Sequence, residues 1–168
     1  MCSFQSSLLI GKEAERQAEK YFNKHGYKFI DVRNNPEYRN IDVDYIVGGL
    51  GKVEVKLNFN NARKGKVGWF FWVELEVGKN QGWYYKSKAD YFLFFNEYGN
   101  GILIKNDDVF KSIVNEGIEI GNHSENGNFR FDHIKDYRKD GYVIAKNMRL
   151  YLDCCKDANI QKIVKRKR

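Results

Sequence analysis

Two charged residues alternate with apolar ones in the segment Gly51-Lys52-Val53-Glu54-Val55-Lys56-Leu57. Alternation with a period of two predicts a β-strand, so Glu54 and Lys56 are expected to point to the same face of a sheet. A carboxylate and an ammonium on a covered face are costly to remove from water unless each has a partner. The pair therefore marks either an ion pair or a site that does chemistry.

A second alternating segment, residues 41–47, lies just upstream and carries Asp42 and Asp44. Residues 48–51, three glycines and a leucine, join the two segments and predict a hairpin turn. The hairpin would bring Asp44, or Asp42 two residues earlier, beside the charged pair. This arrangement predicts a metal site with a lysine next to it. An ion pair on a solvated sheet face is the alternative, and the two strands alone do not exclude it.

Composition limits the class of protein. The 168 residues fit one domain, residues 1–160, followed by a basic tail at residues 161–168. An aromatic content of 15% and a single proline favour a compact α/β fold over a disordered chain. The net charge of +7 favours a polyanionic partner, nucleic acid first, although an ordinary basic protein fits the charge equally well.

The cysteines and the apolar runs bear on the compartment. Cys2, Cys154 and Cys155 form neither a disulfide framework nor a Cys-x-x-Cys zinc motif. Reduced thiols in the cytoplasm are the simplest account. The apolar run at Leu8-Leu9-Ile10 is too brief for a signal peptide, and no run approaches the roughly 18 residues of a membrane span. We expect a soluble intracellular protein that does not enter a membrane.

The remaining elements must position the charged residues. Ala14, Ala18, Tyr21 and Phe22 recur at helical spacing and predict a helix from Gly11 to about His25. Glu15 borders this apolar stripe, and taken alone it reads as a solvated helix residue. Further strands are predicted at residues 27–32, 69–77, 90–95, 101–104 and 142–144, with helices near 81–85 and at 107–115. Residues 58–68 are predicted to form a basic loop.

These motifs together resemble a known family. Gly11-Lys12-Glu13-Ala14-Glu15-Arg16 is similar to the Gly-x-x-x-Glu-Arg helix that opens Holliday-junction resolvases and phage-type nucleases. Asp44 precedes a short apolar strand end, and Glu54-Val55-Lys56 matches a Glu-x-Lys motif. About the first hundred residues thus resemble the PD-(D/E)XK nuclease superfamily. Val43 stands where the family often has proline, and Asp42 remains the alternative to Asp44.

The resemblance implies a restriction-endonuclease-like α/β fold, a mixed sheet of about five strands flanked by helices. It also implies a homodimeric endodeoxyribonuclease that leaves 5′-phosphates, with junction or branched DNA as a candidate substrate and a phage as a candidate source. Asp44, Glu54 and the backbone carbonyl of Val55 would bind Mg²⁺, for which Mn²⁺ should substitute. Lys56 would orient the attacking water or stabilise the phosphate, and Glu15 would hold a water or a second ion.

Other features extend or compete with this interpretation. The basic residues expected to contact DNA phosphates are Arg63, Lys64, Lys66 and Lys79. Gln81 and Tyr85 have the spacing of a Gln-x-x-x-Tyr element found in related exonucleases. The competing functions are an exonuclease or restriction-type nuclease of the same fold, and a nucleic-acid-binding module that does not cleave.

Overall fold

The computed structural model describes residues 4–57, 59–61, 69–96, 98–123, 129–138, 141–151, 155 and 157–163. The helices are α1 (Phe4–Lys24), α2 (Pro36–Arg39), α3 (Trp83–Lys86) and α4 (Asp108–His123). The strands are β1 (Phe29–Asp31), β2 (Tyr45–Val47), β3 (Gly51–Lys56), β4 (Phe59–Asn61), β5 (Trp69–Val77), β6 (Asn80–Gln81), β7 (Tyr91–Phe95), β8 (Gly101–Lys105), β9 (Phe129–Arg138), β10 (Gly141–Tyr151) and β11 (Ile160–Ile163).

Six strands form a mixed sheet in the order β1-β2-β3-β7-β8-β11. β3 and β7 run parallel, and the other neighbours in this sheet are antiparallel. The β2–β3 hairpin turns through Gly49 and Gly51, whose φ angles are +82° and +87°. A side chain at Gly51 would also collide with the Asp90 carboxylate, since its Cβ would lie 2.5 Å from Oδ2. The hairpin therefore depends on glycine at this position.

The two faces of β3 have different neighbours. Val53 and Val55 are buried in an apolar cluster with Ala14, Ala18 and Phe22 of α1. Side chains alternate along a strand, so the residues between and after the valines point to the opposite face. On that face the aligned residues of β7 are buried aromatics of a second apolar cluster. The first sheet is thus covered by α1 on one side and by another layer on the other.

The other layer is mostly a second sheet, in the order β4-β5-β10-β9, with β6 also paired to β5. Its pairings are all antiparallel. Phe71 of β5 contacts Phe94 of the first sheet, with 4.7 Å between ring centroids, and Phe110 of α4 joins the same cluster. None of the helices in the described part of the chain is long and apolar enough to cross a membrane.

The mixed α/β architecture confirms the coarse fold prediction. β3, β5, β7, β8 and the hairpin lie close to where the alternation placed them. The predicted mixed sheet of about five strands corresponds to the six-stranded sheet, whereas the second, five-stranded sheet was not predicted. β5, predicted as a strand at residues 69–77, lies in the second sheet between β4 and β10.

Several boundaries also differ from the predictions. α1 begins at Phe4 rather than Gly11, and α4 continues past Gly117, where a buried glycine sits inside the helix instead of ending it. The alternating segment at residues 41–47 is a strand only over β2, because Ile41 and Asp42 form a turn. β4 occupies part of the expected loop at 58–68, and β9 was not predicted. Residues 161–163 of the expected tail belong to β11, which pairs with β8.

Candidate functional site

The β2–β3 hairpin brings Asp44 next to Glu54. The Asp44 backbone N–H donates to the carbonyl of Val53 at 3.0 Å, which extends the hairpin by one residue. The Asp44 carboxylate turns across to β3, where its Oδ2 accepts the Val55 backbone N–H at 2.7 Å. This contact fixes the carboxylate at the end of β2, beside the charged face of β3.

Glu54 and Lys56 share one face of β3, and their side chains form an ion pair through Glu54 Oε1. Glu54 is almost fully buried, with 1% of its surface exposed, whereas the Lys56 side chain is 29% exposed. The second carboxylate oxygen, Oε2, has no hydrogen-bond partner among the described residues. A buried carboxylate oxygen without a partner is costly, so this atom is suited to a ligand.

The electrostatics of the cluster follow from burial and from the neighbouring charges. Burial raises the pKa of Glu54 to about 7, although the Lys56 ammonium opposes the shift. Burial likewise raises the pKa of Asp44, against the influence of Lys56 and of the Val55 N–H. For Lys56 burial works to lower the pKa, but Glu54, Asp44 and Asp42 outweigh it and hold the pKa above its ordinary value. Lys56 therefore keeps its proton.

Glu15 approaches the cluster from α1. Its carboxylate forms an ion pair with Arg33, whose guanidinium also contacts Glu19 at 3.1 Å and Asp31 at 2.5 Å. Burial raises the pKa of Glu15, Arg33 lowers it, and Asp44 raises it further. Glu15 is thus close enough to Asp44 for their charges to interact, and Arg33 compensates the excess of acidic groups.

Asp42 occupies a different position from Asp44. Its backbone has a left-handed φ of +46°, and Ser87 Oγ donates to its carbonyl oxygen at 3.0 Å. Its carboxylate forms an ion pair with Lys86 of α3 at 2.9 Å. Asp42 therefore already has a cationic partner, although its charge also acts on Glu54 and Lys56. The charge of Asp44 acts on Lys56 and on Glu15.

Lys86 lies beside the site without any sequence motif that marks it. Its side chain is 47% exposed, and its partner Asp42 is one of the charges that act on Lys56. The signal for it was weak, because a lysine at the end of a single-turn helix looks like an ordinary surface charge. Only the fold brings α3 next to the turn that precedes β2.

The other expected contacts lie elsewhere. Lys79, Gln81 and Tyr85 line a separate cavity of about 320 Å³ at the β5–β6 turn, together with Glu76. Arg63, Lys64 and Lys66 lie outside the described residues, and their expected role remains a prediction.

A divalent cation fits this cluster chemically. Mg²⁺ prefers oxygen ligands and keeps several waters, so two carboxylates and a carbonyl can suffice. Asp44 and Glu54 supply such oxygens. Lys56 and Ser87 hydrogen-bond the Glu54 carboxylate and lower its pKa, while its buried Oε2 has no partner of its own among the described residues. Within the described ranges no three His, Cys, Asp or Glu side chains are grouped closely enough to form a metal centre by themselves. A metal here would therefore depend on two side chains, backbone and water.

The pKa of Glu54 predicts a pH-dependent contribution to stability. Since the folded-state pKa is raised from 4.5 to about 7, the folded protein holds this proton more tightly than the unfolded chain. The contribution is complete below pH 4.5 and is lost as the pH rises through about 7. We expect this in the difference between the free energies of unfolding of the wild type and of Glu54→Gln, measured in EDTA. That difference should fall by up to about 3 kcal/mol between pH 4 and pH 8.

Urea unfolding across this pH range measures the difference. Glu37→Gln, on exposed α2, provides the matched control for removing a carboxylate. Parallel stability profiles for the wild type and Glu54→Gln would contradict the strong burial of a titrating carboxylate at this position.

Comparison with protein-family models, with curated proteins and with solved structures gives no match for this chain.

Proposed function

We propose that the protein is a Mg²⁺-dependent endodeoxyribonuclease of the PD-(D/E)XK, restriction-endonuclease-like type. One observation carries the proposal: Glu54 and Lys56 share a covered strand face, beside Asp44, with a carboxylate oxygen that lacks a partner. An ion pair that served stability alone would be expected to satisfy both oxygens of a buried carboxylate. The proximity of Glu15 to Asp44 supports the same assignment.

Each side chain has a distinct task in this proposal. Asp44, Glu54 and the Val55 carbonyl would hold Mg²⁺, which supplies Lewis acidity and neutralises the charge of the scissile phosphate when bound. Lys56 keeps its proton and donates hydrogen bonds to the phosphate oxygens, on which negative charge increases in the transition state. The Val55 N–H keeps the Asp44 carboxylate in place. Glu15, paired with Arg33, adds negative charge at the edge of the site.

An exonuclease of the same fold is the second candidate. Gln81 and Tyr85 line one cavity, so the residues of the Gln-x-x-x-Tyr spacing meet in space at the base of α3. This proximity is the observation that favours an exonuclease, although the cavity is separate from Asp44, Glu54 and Lys56. We keep the endonuclease as the main proposal, since the acidic cluster does not depend on that element.

A substrate panel separates these functions. Supercoiled plasmid, linear duplex and a four-way junction are incubated with Mg²⁺, with Mn²⁺ and with EDTA. We expect nicking or cutting of at least one substrate with either metal, none in EDTA, and ends that carry 5′-phosphates. Cleavage of linear DNA only from its ends would favour the exonuclease. If no substrate is cut with either metal, the enzymatic proposal is wrong and a binding module remains.

Lys86 is expected to contact a DNA phosphate at the mouth of the site. Lys86→Ala should weaken binding to duplexes of any sequence and lower the slope of log affinity against log salt by about 1. Binding is measured by fluorescence anisotropy with Ca²⁺ in place of Mg²⁺. Lys88→Ala is the matched control, since Lys88 is an exposed lysine two residues later. Equal slopes for the two variants would exclude a specific role for Lys86.

A further inference from the structure

Trp83 is buried against the charged face of β3, yet the proposed chemistry does not use it. Only 5% of its surface is exposed. Its backbone N–H donates to Glu74 Oε1 at 3.3 Å, and the preceding Gly82 N–H donates to the Leu75 carbonyl at 2.8 Å. A Cβ at Gly82 would lie 2.3 Å from the carbonyl oxygen of Glu74, so a glycine is needed for this close approach. α3 is therefore fixed firmly on β5.

The indole ring packs on the strand next to the charged pair. Its centroid lies 4.9 Å from the ring of Phe92 and 5.8 Å from that of Phe94. In the parallel β3–β7 pairing, Phe92 is aligned with Glu54 and Phe94 with Lys56. The three rings and the ion pair thus form one continuous layer on this face of the sheet.

The ring also lies close to the ammonium. Lys56 Nζ is 5.7 Å from the centroid of the Trp83 ring. A cation within about 6 Å of an aromatic face is attracted by the ring quadrupole, most strongly by tryptophan and most strongly where water is excluded. The Lys56 side chain is only partly exposed, and its ion-pair partner Glu54 is buried. The ring is thus of the most favourable type, and the ammonium is partly shielded from water.

We propose that Trp83 is a positioning residue of this site, whose indole face holds the Lys56 ammonium beside Glu54. The catalytic consequence rests on the proposed nuclease function, whereas the contact between ring and ammonium does not. Glu54 attracts the ammonium from one direction, and the ring limits its movement from another. Lysine has a flexible four-carbon stem, so such a constraint reduces the freedom that the ammonium must lose when phosphate binds.

Substitutions at Trp83 test the catalytic part. We expect Trp83→Leu to lower the cleavage rate about 10-fold and Trp83→Phe to retain part of the rate, because phenylalanine keeps a weaker aromatic face. Trp72→Leu is the matched control, since Trp72 is a tryptophan of the second sheet whose ring lies beside Phe70, 5.0 Å between centroids. Circular dichroism verifies that each variant is folded.

Fluorinated tryptophans separate electrostatics from packing. Each added fluorine weakens the negative face of the ring and changes its size little, so log rate should fall steadily along the series. In Trp83→Phe protein only Trp69 and Trp72 carry fluorine. There the cleavage rate should not change with the number of fluorines. A flat series in the protein that retains Trp83 would overturn the proposal.

NMR tests the contact without any activity. The side-chain resonances of Lys56 should be shifted upfield by the indole ring current, and the shift should disappear in Trp83→Leu. Unshifted Lys56 resonances in the wild type would overturn the proposal directly. If the wild type cleaves no substrate with Mg²⁺ or Mn²⁺, the proposed function falls and the catalytic role of Trp83 falls with it, while the ring-current shift still decides the contact.

Discussion

Lys56→Met is expected to reduce DNA cleavage by about 10²–10³-fold while the protein still folds and binds DNA. The ammonium is the cation of the cluster that pairs directly with Glu54, and its raised pKa keeps it charged at neutral pH. Without the ammonium, the phosphate oxygens lose the hydrogen-bond donor that stabilises their increasing negative charge in the transition state. Methionine preserves an unbranched apolar stem that can still pack against Trp83. Single-turnover cleavage of the best substrate in the panel measures the loss.

Lys52→Met is the matched control for this experiment. Lys52 lies on the same strand and the same face, four residues before Lys56 and thus about 13 Å away. Its backbone N–H donates to Asp90, a contact that the substitution leaves in place. We expect Lys52→Met to cleave at nearly the wild-type rate. Similar losses for both variants would point to a general effect of charge, and full activity of Lys56→Met would remove Lys56 from the site.

Asp44→Asn should lower the cleavage rate by about 10³-fold and weaken Mn²⁺ binding at least tenfold. The asparagine oxygen can still accept the Val55 N–H, so the hairpin is preserved while the negative charge is lost. Electron paramagnetic resonance of Mn²⁺ reports metal binding independently of activity. The expected magnitude follows from the several kcal/mol that a metal contributes to stabilising transition-state charge.

Asp42→Asn distinguishes the two aspartates. Because Asp42 is paired with Lys86 and has a left-handed backbone, we expect its substitution to leave Mn²⁺ affinity nearly unchanged. Asparagine also tolerates the left-handed conformation, so the turn should persist. If Asp42→Asn abolishes metal binding and Asp44→Asn does not, the ligand assignment is reversed.

Local alternation predicted the strands that carry the site. The period-two pattern around Glu54 and Lys56 was sufficient to place both side chains on one face of β3, and the glycines were sufficient to predict the hairpin. Helical spacing likewise predicted α1, including the position of Glu15 at the border of the buried stripe. These features depend on residues that are close together along the chain, so one amino-acid sequence is enough to predict them.

The features that depend on distant segments could not be predicted in this way. Nothing near Glu54 indicates that Trp83 and Lys86 of α3 approach the same face, since α3 is only four residues long. The division into two sheets depends on β5 pairing with β10 rather than with β3, and alternation does not specify partners. The alternation also extends through Asp42, which lies in a turn, because the residue types do not reveal its left-handed backbone.

The path of the chain between β3 and β7 has a consequence for synthesis. These adjacent parallel strands are separated by β4, β5, β6 and α3, and β5 in turn pairs with β10, near the C-terminal end. Glu15, Asp44, Glu54 and Lys56 therefore leave the ribosome long before the layer that encloses them can form. We expect a nascent or prematurely ended chain to carry these side chains without a finished site, so under the proposed nuclease function an unfinished protein would leave DNA uncut.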